Sequence, residues 1–259
     1  MIVIKFGGHA MRDESGLFAD AIQHALNEGE EIVVVHGGGP QIDNALKEEG
    51  IASEFRGGFR VTTPEVFAVV RRVLADEIGP ALAAQLRAHS VAAVAISGEK
   101  VLTAQKLSSL VNGNVADLGY VGEVSDVDCQ PLHEAVKDGL VVVLSPVARS
   151  QDGHHGFNVN ADLAAAAIAG ALHARVLVIM TDVAGIYRRW PEKDSLITTI
   201  TAGELNAIKS EFQGGMAPKV QACLDAINHG AKAVRIIDGT DPAAFSEALA
   251  GRGGTLVMA

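Results

Sequence analysis

The chain has 259 residues, 48% of them apolar and only 4% aromatic, which suits one large α/β domain with an aliphatic core rather than a disordered chain. Its formal charge of −10 argues against general binding to nucleic acid or anionic membranes, which needs fields of Lys and Arg, although a few local cations could still hold a small anionic substrate. Two distant cysteines, Cys129 and Cys223, give no disulfide scaffold, and no apolar run nears the ~18 residues of a membrane span, so a reduced, cytoplasmic setting is expected.

Ile2-Val3-Ile4 opens the chain as a strand without a basic leader, so the fold is expected to begin at once, with no room for an N-terminal regulatory helix. Leu17, Phe18, Ala21, Ile22, Ala25 and Leu26 then recur at helical spacing. Ile32-Val33-Val34-Val35 is a continuous apolar run, as expected of a strand buried on both faces. Further strand-like runs lie at 91–96, 140–144, 176–180 and 233–237, with helical patterns between them that include 163–171 and 220–228. This alternation predicts a mostly parallel, doubly covered sheet: an α/β three-layer sandwich around an open central sheet. Segments 99–130 and 186–200 are less regular and are read as hairpins or loops. No linker or internal repeat interrupts the chain, which points to a single domain over 1–259 with two lobes on one continuous sheet.

Ligands of open α/β sheets bind beyond the carboxyl ends of the strands, and four such ends carry unusual residues. Lys5-Phe6-Gly7-Gly8-His9 ends the first strand with a lysine and two glycines whose N–H groups can approach a phosphate closely. His36-Gly37-Gly38-Gly39-Pro40 runs into a helix and can cradle an anion; it has neither the dinucleotide-binding spacing nor the Lys-Ser/Thr of a Walker loop. Asn158-Val159-Asn160-Ala161-Asp162 offers two amides to a carboxylate or amide, and an acid that could equally serve the dipole of the helix it begins. Gly214-Gly215-Met216-Ala217-Pro218-Lys219 puts a lysine in a first helical turn, which is unfavourable unless an anion faces it. Two lysines, two glycine loops and one acid fit phosphoryl transfer, which asks for charge stabilisation more than covalent help. No Ser, His and Asp gather around a nucleophile elbow. The nine His lack zinc-like spacing, and the adjacent His154 and His155 cannot readily face one point, so no metal is assigned to side chains.

At these residues the sequence resembles the amino acid kinase family over nearly its whole length. The resemblance also rests on Gly58-Phe59-Arg60-Val61-Thr62, Asp117-Leu118-Gly119-Tyr120-Val121-Gly122-Glu123-Val124, Thr181-Asp182-Val183-Ala184-Gly185 and Gly254-Thr255. It implies transfer of the γ-phosphoryl of ATP to the side-chain carboxylate of N-acetylglutamate, giving an acyl phosphate in arginine biosynthesis. It implies that Lys5 and Lys219 stabilise the transition state and that Asp162 positions them. Gly8 and Gly38 would give N–H groups to the γ-phosphoryl, with Gly7 and Gly37 giving the chain room. Arg60 would pair with a substrate carboxylate, and Asn158 with Asn160 would bind the acetylamino end. Thr181, Asp182, Gly185, Gly215 and Met216 would line the nucleotide pocket, with Mg2+ bridging the phosphates. Residues 1–172 would then form the acceptor lobe and 173–259 the nucleotide lobe of a protein that forms homodimers.

The chain departs from the family pattern at three places. Asp76-Glu77-Ile78-Gly79 stands where the family usually has Val-Asn-Lys-Glu, Thr63 stands for an Asp, and Ser97-Gly98-Glu99-Lys100-Val101 stands for Ser-Gly-Lys-Asp-Gly. These changes bear on the acceptor and the dimer interface, not on the phosphoryl-transfer residues. Lack of the extra N-terminal helix of feedback-inhibited members implies insensitivity to arginine. The competing readings are a kinase of this fold for another acid, such as an aminoadipate derivative, and a non-catalytic metabolite sensor.

Overall fold

We describe a computed structural model of the chain at residues 1–7, 16–109, 117–241 and 243–259. The first half contains β1 (Ile2–Phe6), α1 (Leu17–Asn27), β2 (Ile32–His36), α2 (Gly39–Glu48) and the short hairpin β3 (Phe55–Arg56) and β4 (Phe59–Arg60). Helix α3 (Pro64–Arg71) continues through a π-helical segment, Arg72–Ile78, into α4 (Gly79–Ala88). There follow β5 (Ala93–Ile96), β6 (Leu102–Lys106), β7 (Val121–Val127), α5 (Gln130–Lys137), β8 (Val141–Leu144), β9 (Val147–Ser150), β10 (Gly156–Val159) and α6 (Ala161–Ala171). The rest comprises β11 (Val176–Thr181), β12 (Ile186–Tyr187), β13 (Leu196–Ile197), β14 (Thr199–Thr201), α7 (Ala202–Ile208), α8 (Met216–Asn228), β15 (Ala233–Asp238), α9 (Ala244–Leu249) and β16 (Thr255–Met258).

Eight of these strands form one sheet in the order β14-β16-β15-β11-β1-β2-β8-β5. Only β15 and β16 pair antiparallel; the other pairs are parallel. The expected strands are all present, and their unbroken apolar runs are explained by burial on both faces. Val3, Val33, Val35, Leu177 and Ile179 pack with Ala164, Ala165, Ile168 and Ala169 of α6 and with Ala222, Cys223 and Ala226 of α8. Their neighbours Ile2, Ile4, Val34 and Val178 pack on the other face with residues of α1, α4 and α9. This period-two alternation makes the three layers. Each large aliphatic side chain so buried contributes about 1.5–3 kcal/mol.

The irregular stretch 99–130 contains a structure the sequence pattern did not resolve. Strands β6 and β7 pair antiparallel, with a register shift at Thr103/Ala104, and close with β9 and β10 into a small four-stranded barrel. Exposed Gln105, Lys106, Glu123, Ser125 and Asp126 interrupt the apolar signal there. Segment 186–200 holds the β12–β13 pair.

The register at the sheet centre sets up the site. Lys5 is level with Val35 on one side and Ile179 on the other. From this centre the strand order runs through β2, β8 and β5 one way and through β11, β15, β16 and β14 the other, a switch point at which open sheets bind ligands beyond their carboxyl ends.

Candidate active site

Lys5 lies on the same face of β1 as Val3, the face covered by α6 and α8. Its ammonium therefore meets the first turn of α6. Nζ of Lys5 is 3.1 Å from Oδ1 of Asp162, and Nζ of Lys219 donates to Oδ2 of Asp162 at 2.9 Å. Small residues bring the helices this close: a Cβ added at Gly170 of α6 would lie 2.5 Å from Cβ of His229, just beyond α8. The contact to Lys5 is an ion pair without hydrogen-bond alignment, whereas that to Lys219 is also a hydrogen bond. Burial pushes the Asp162 carboxyl up, but the two ammoniums outweigh it and hold the group down at about 2. Asp162 is thus a fixed anion, not a proton acceptor. The lysine in the first turn of α8 has its counter-charge in this residue.

The two glycine segments act through what they leave free. A Cβ at Gly7 would sit 2.6 Å from Nζ of Lys5, so Gly7 keeps the space in which the lysine folds over the strand end. Gly8 lies outside the described residues. At the second loop, a Cβ on Gly38 would lie 2.6 Å from Cδ1 of Ile78 and 2.7 Å from Cδ2 of Leu74, so the π-helical segment closes against bare backbone. His36 is fully buried, and its Nδ1 donates to the Gly37 carbonyl at 2.8 Å. Burial lowers its pKa to about 4 against the raising effect of that bond, so the ring is neutral at pH 7. Its Nε2 has no protein partner. In a trans peptide the N–H points opposite to the C=O, so holding the Gly37 carbonyl turns the Gly38 N–H away from the ring.

Lys5, Gly37, Gly38, Arg60, Asn158, Asn160 and Asp162 line one cleft of about 280 Å3. Arg60 is buried, lies over the Phe55 ring with Cζ 4.5 Å from its centroid, and donates from Nη1 to Asp43 at 2.7 Å and to Ser53. Its Nε and Nη2 have no protein acceptor among the described residues. Asn158 donates to the Thr62 hydroxyl at 3.1 Å, and that hydroxyl donates to the Arg60 carbonyl at 2.8 Å. Thr62 is the link that sequence reasoning missed. Gly119, at φ 69°, allows it, because a Cβ there would run into the Thr62 carbonyl. Asn160 caps α6, accepting from the N–H groups of Asp162 at 2.9 Å and Leu163 at 3.3 Å, so its side-chain oxygen shapes the helix start.

A second cavity, of about 730 Å3, is lined by Asp182, Gly215, Met216 and Lys219, and by Tyr187, Arg188, Trp190 and Phe212. Two other candidates sit behind it. Thr181 is buried and donates to Asp182 at 3.0 Å. Gly185 packs against Thr255, where a Cβ would meet its hydroxyl and lie 3.0 Å from Leu196. Lys5 lines the first cleft and Lys219 the second, with Asp162 joining them.

The departures from the family pattern fall outside both cavities. Arg71 pairs with Asp76 at 3.3 Å and Glu99 at 3.1 Å, while Arg72 pairs with Glu49 at 2.5 Å and with Glu77. Thr63 caps α3 by accepting from Val66 N–H at 3.3 Å, a task an Asp performs equally well. His155 packs edge-on to Tyr120 and Phe157, and neither it nor His154 lines either cavity.

Comparison with known proteins agrees with this geometry. The family model for the amino acid kinase family matches residues 1–238. An acetylglutamate kinase from Streptomyces coelicolor is 45% identical over 242 residues, covering 92% of this chain and 79% of that protein. One from Corynebacterium urealyticum is 44% identical over 246 residues, covering 93% and 81%. Among solved structures, smu.665 from Streptococcus mutans superposes with a TM-score of 0.83 at 28% identity, covering 99% and 98% of the two chains. A carbamate kinase from Giardia lamblia bound to AMP-PNP shares the fold, with a TM-score of 0.69 at 20% identity over 99% and 97%. The chain belongs to the amino acid kinase family.

Proposed function

We propose that the chain transfers the γ-phosphoryl of ATP to the side-chain carboxylate of N-acetylglutamate, the activity for which its Streptomyces and Corynebacterium relatives are named, as a step of arginine biosynthesis. One observation carries the reading: a buried carboxylate holds two ammoniums, one lining each of two cavities. The small cleft takes the acceptor and the large cavity the nucleotide. An acceptor carboxylate oxygen attacks the γ-phosphorus while the bond to the β–γ bridging oxygen breaks, and ADP leaves. A carboxylate is ionised near pH 7 and needs no general base. Lys5 and Lys219 then stabilise the charge on the transferring group, and the Gly38 N–H adds a fixed dipole. Arg60 has two nitrogens left for the carboxylate that does not react. Asn158, steered by Thr62, faces the acetylamino group.

The residues present fit a Mg2+ that arrives with the nucleotide. Asp182 and Glu211 put carboxylates into the cavity lining, where they would serve a metal held mainly by phosphate and water. Bound there, it would neutralise phosphate oxygens. On this reading residues 1–172 carry the acceptor side and 173–259 the nucleotide side, in keeping with the partition of strands about β1 and β11. A cytoplasmic homodimer completes the proposal, and light scattering on the purified protein measures that assembly.

The test is ATP-dependent hydroxamate formation with N-acetylglutamate, glutamate, aspartate and N-acetylaminoadipate. Signal with N-acetylglutamate well above the others is expected. Signal with only another acid keeps the mechanism and overturns the acceptor, and no signal with any of them despite ATP binding overturns the carboxylate acceptor in favour of a phosphate acceptor or a sensor role.

A further inference from the structure

Trp190 is the single tryptophan of the chain, and it leaves 64% of its surface exposed at the larger cavity. Large aromatic side chains usually bury most of their area, so one held open at a cavity wall invites a ligand. The turn that carries it is braced. Strands β12 and β13 pair at its base, Arg188 N–H donates to the Ser195 carbonyl at 2.9 Å, and Arg189 N–H donates to the Ser195 hydroxyl at 3.0 Å. The Arg189 guanidinium is held by Glu192 at 2.7 Å. Tyr187 meets Trp190 at 5.2 Å between centroids and 67° between planes. An edge-to-face pair leaves at least one face of the indole free.

The same cavity carries both signs of charge, the carboxylates of Asp182 and Glu211 and cations that can meet phosphates. Arg188 lines it without an ion-pair partner among the described residues, and Lys219 lines it too. A free aromatic face beside cations fits a ligand with a flat heteroaromatic ring and phosphates. We infer that Trp190, seated by Tyr187, is the platform on which the purine base of the nucleotide stacks, so that this residue sets nucleotide affinity separately from the lysines and glycines that handle the transferred group. The inference rests on the assignment of this cavity to ATP. Base–aromatic stacking is lost on alanine substitution at a cost on the order of 10- to 100-fold in affinity.

Because Trp190 is the single tryptophan, its emission reports its own surroundings. ATP added to the unsubstituted protein without acceptor should change that emission saturably, with the Kd found by calorimetry. Inorganic tripolyphosphate, which has no base, should compete with ATP without the same emission change. Trp190→Ala should raise the Kd and KM for ATP on the order of 10- to 100-fold, and leave the acceptor KM and inhibition by tripolyphosphate within twofold. Trp190→Phe should recover most of the loss, which separates stacking from a folding defect. ATP binding by calorimetry with unchanged emission, and with Trp190→Ala within twofold of the unsubstituted protein, overturns the inference while sparing the kinase. Failure of the unsubstituted protein to bind ATP overturns the nucleotide assignment itself.

Discussion

The small cleft and the large cavity are tied together through Asp162, whose carboxylate holds the lysine that lines each, yet they are built from different material. The cleft is assembled largely at strand and helix ends of the central sheet: Lys5 closes β1, Gly37 and Gly38 follow β2, and Asp162 begins α6. Its charged members Lys5, Arg60 and Asp162 are buried. The cavity is walled by loops around 182–190 and 211–216, with Asp182, Arg188, Trp190 and Gln213 exposed. On the proposed function, rigid elements would hold the groups that must meet the reacting atoms within tenths of an ångström, and loops would hold the part of the nucleotide that does not react.

Substitution of Asp162, which ties the two lysines together, breaks this division most severely. Asp162→Asn leaves two ammoniums without their counter-charge, so it should destabilise the fold by about 3–5 kcal/mol, as removal of one partner from a buried ion pair does. It should also abolish most activity, and urea unfolding and steady-state rates measure both. Gly7→Ala acts on the rigid side alone by displacing the Lys5 ammonium. Its kcat should fall on the order of 10- to 100-fold, with little change in ATP affinity.

A smaller effect sharpens the comparison through pH. His36 is neutral in the fold down to about pH 4, whereas the unfolded chain protonates it near 6.5. The unfolded state binds more protons in that window, so stability falls as pH drops from 6.5 to 4, by roughly 3 kcal/mol from this residue. Asp162 acts lower: its stabilisation is present above its unfolded pKa of 3.8 and is lost as pH falls towards about 2. His36→Asn should flatten the upper window and leave the lower one, as followed by urea unfolding at stepped pH.

Much of this was legible in the sequence. Unbroken apolar runs located the sheet strands, and a lysine or glycines at their ends located the cleft. The odd placement of Lys219 in a first helical turn pointed to an anionic ligand, and the structure pairs that lysine with the carboxylate of Asp162. Three things were not legible. Thr62 matters through a hydroxyl bridge between segments distant in sequence, for which no local pattern exists. The small barrel pairs strands with mixed polar and apolar residues, so its period is weak. Trp190 was overlooked because a lone aromatic in an irregular stretch carries no periodic signal.

The most direct measurement is a double-mutant cycle on kcat for ATP and N-acetylglutamate, using Lys5→Ala, Lys219→Ala and the pair. If Asp162 holds both ammoniums on one transferring phosphoryl, each single change costs about 10²–10³-fold and the pair costs far less than the product. Strictly multiplicative losses, or a Lys219→Ala enzyme within a few-fold of the unsubstituted rate, would contradict a shared transition-state role for the two lysines.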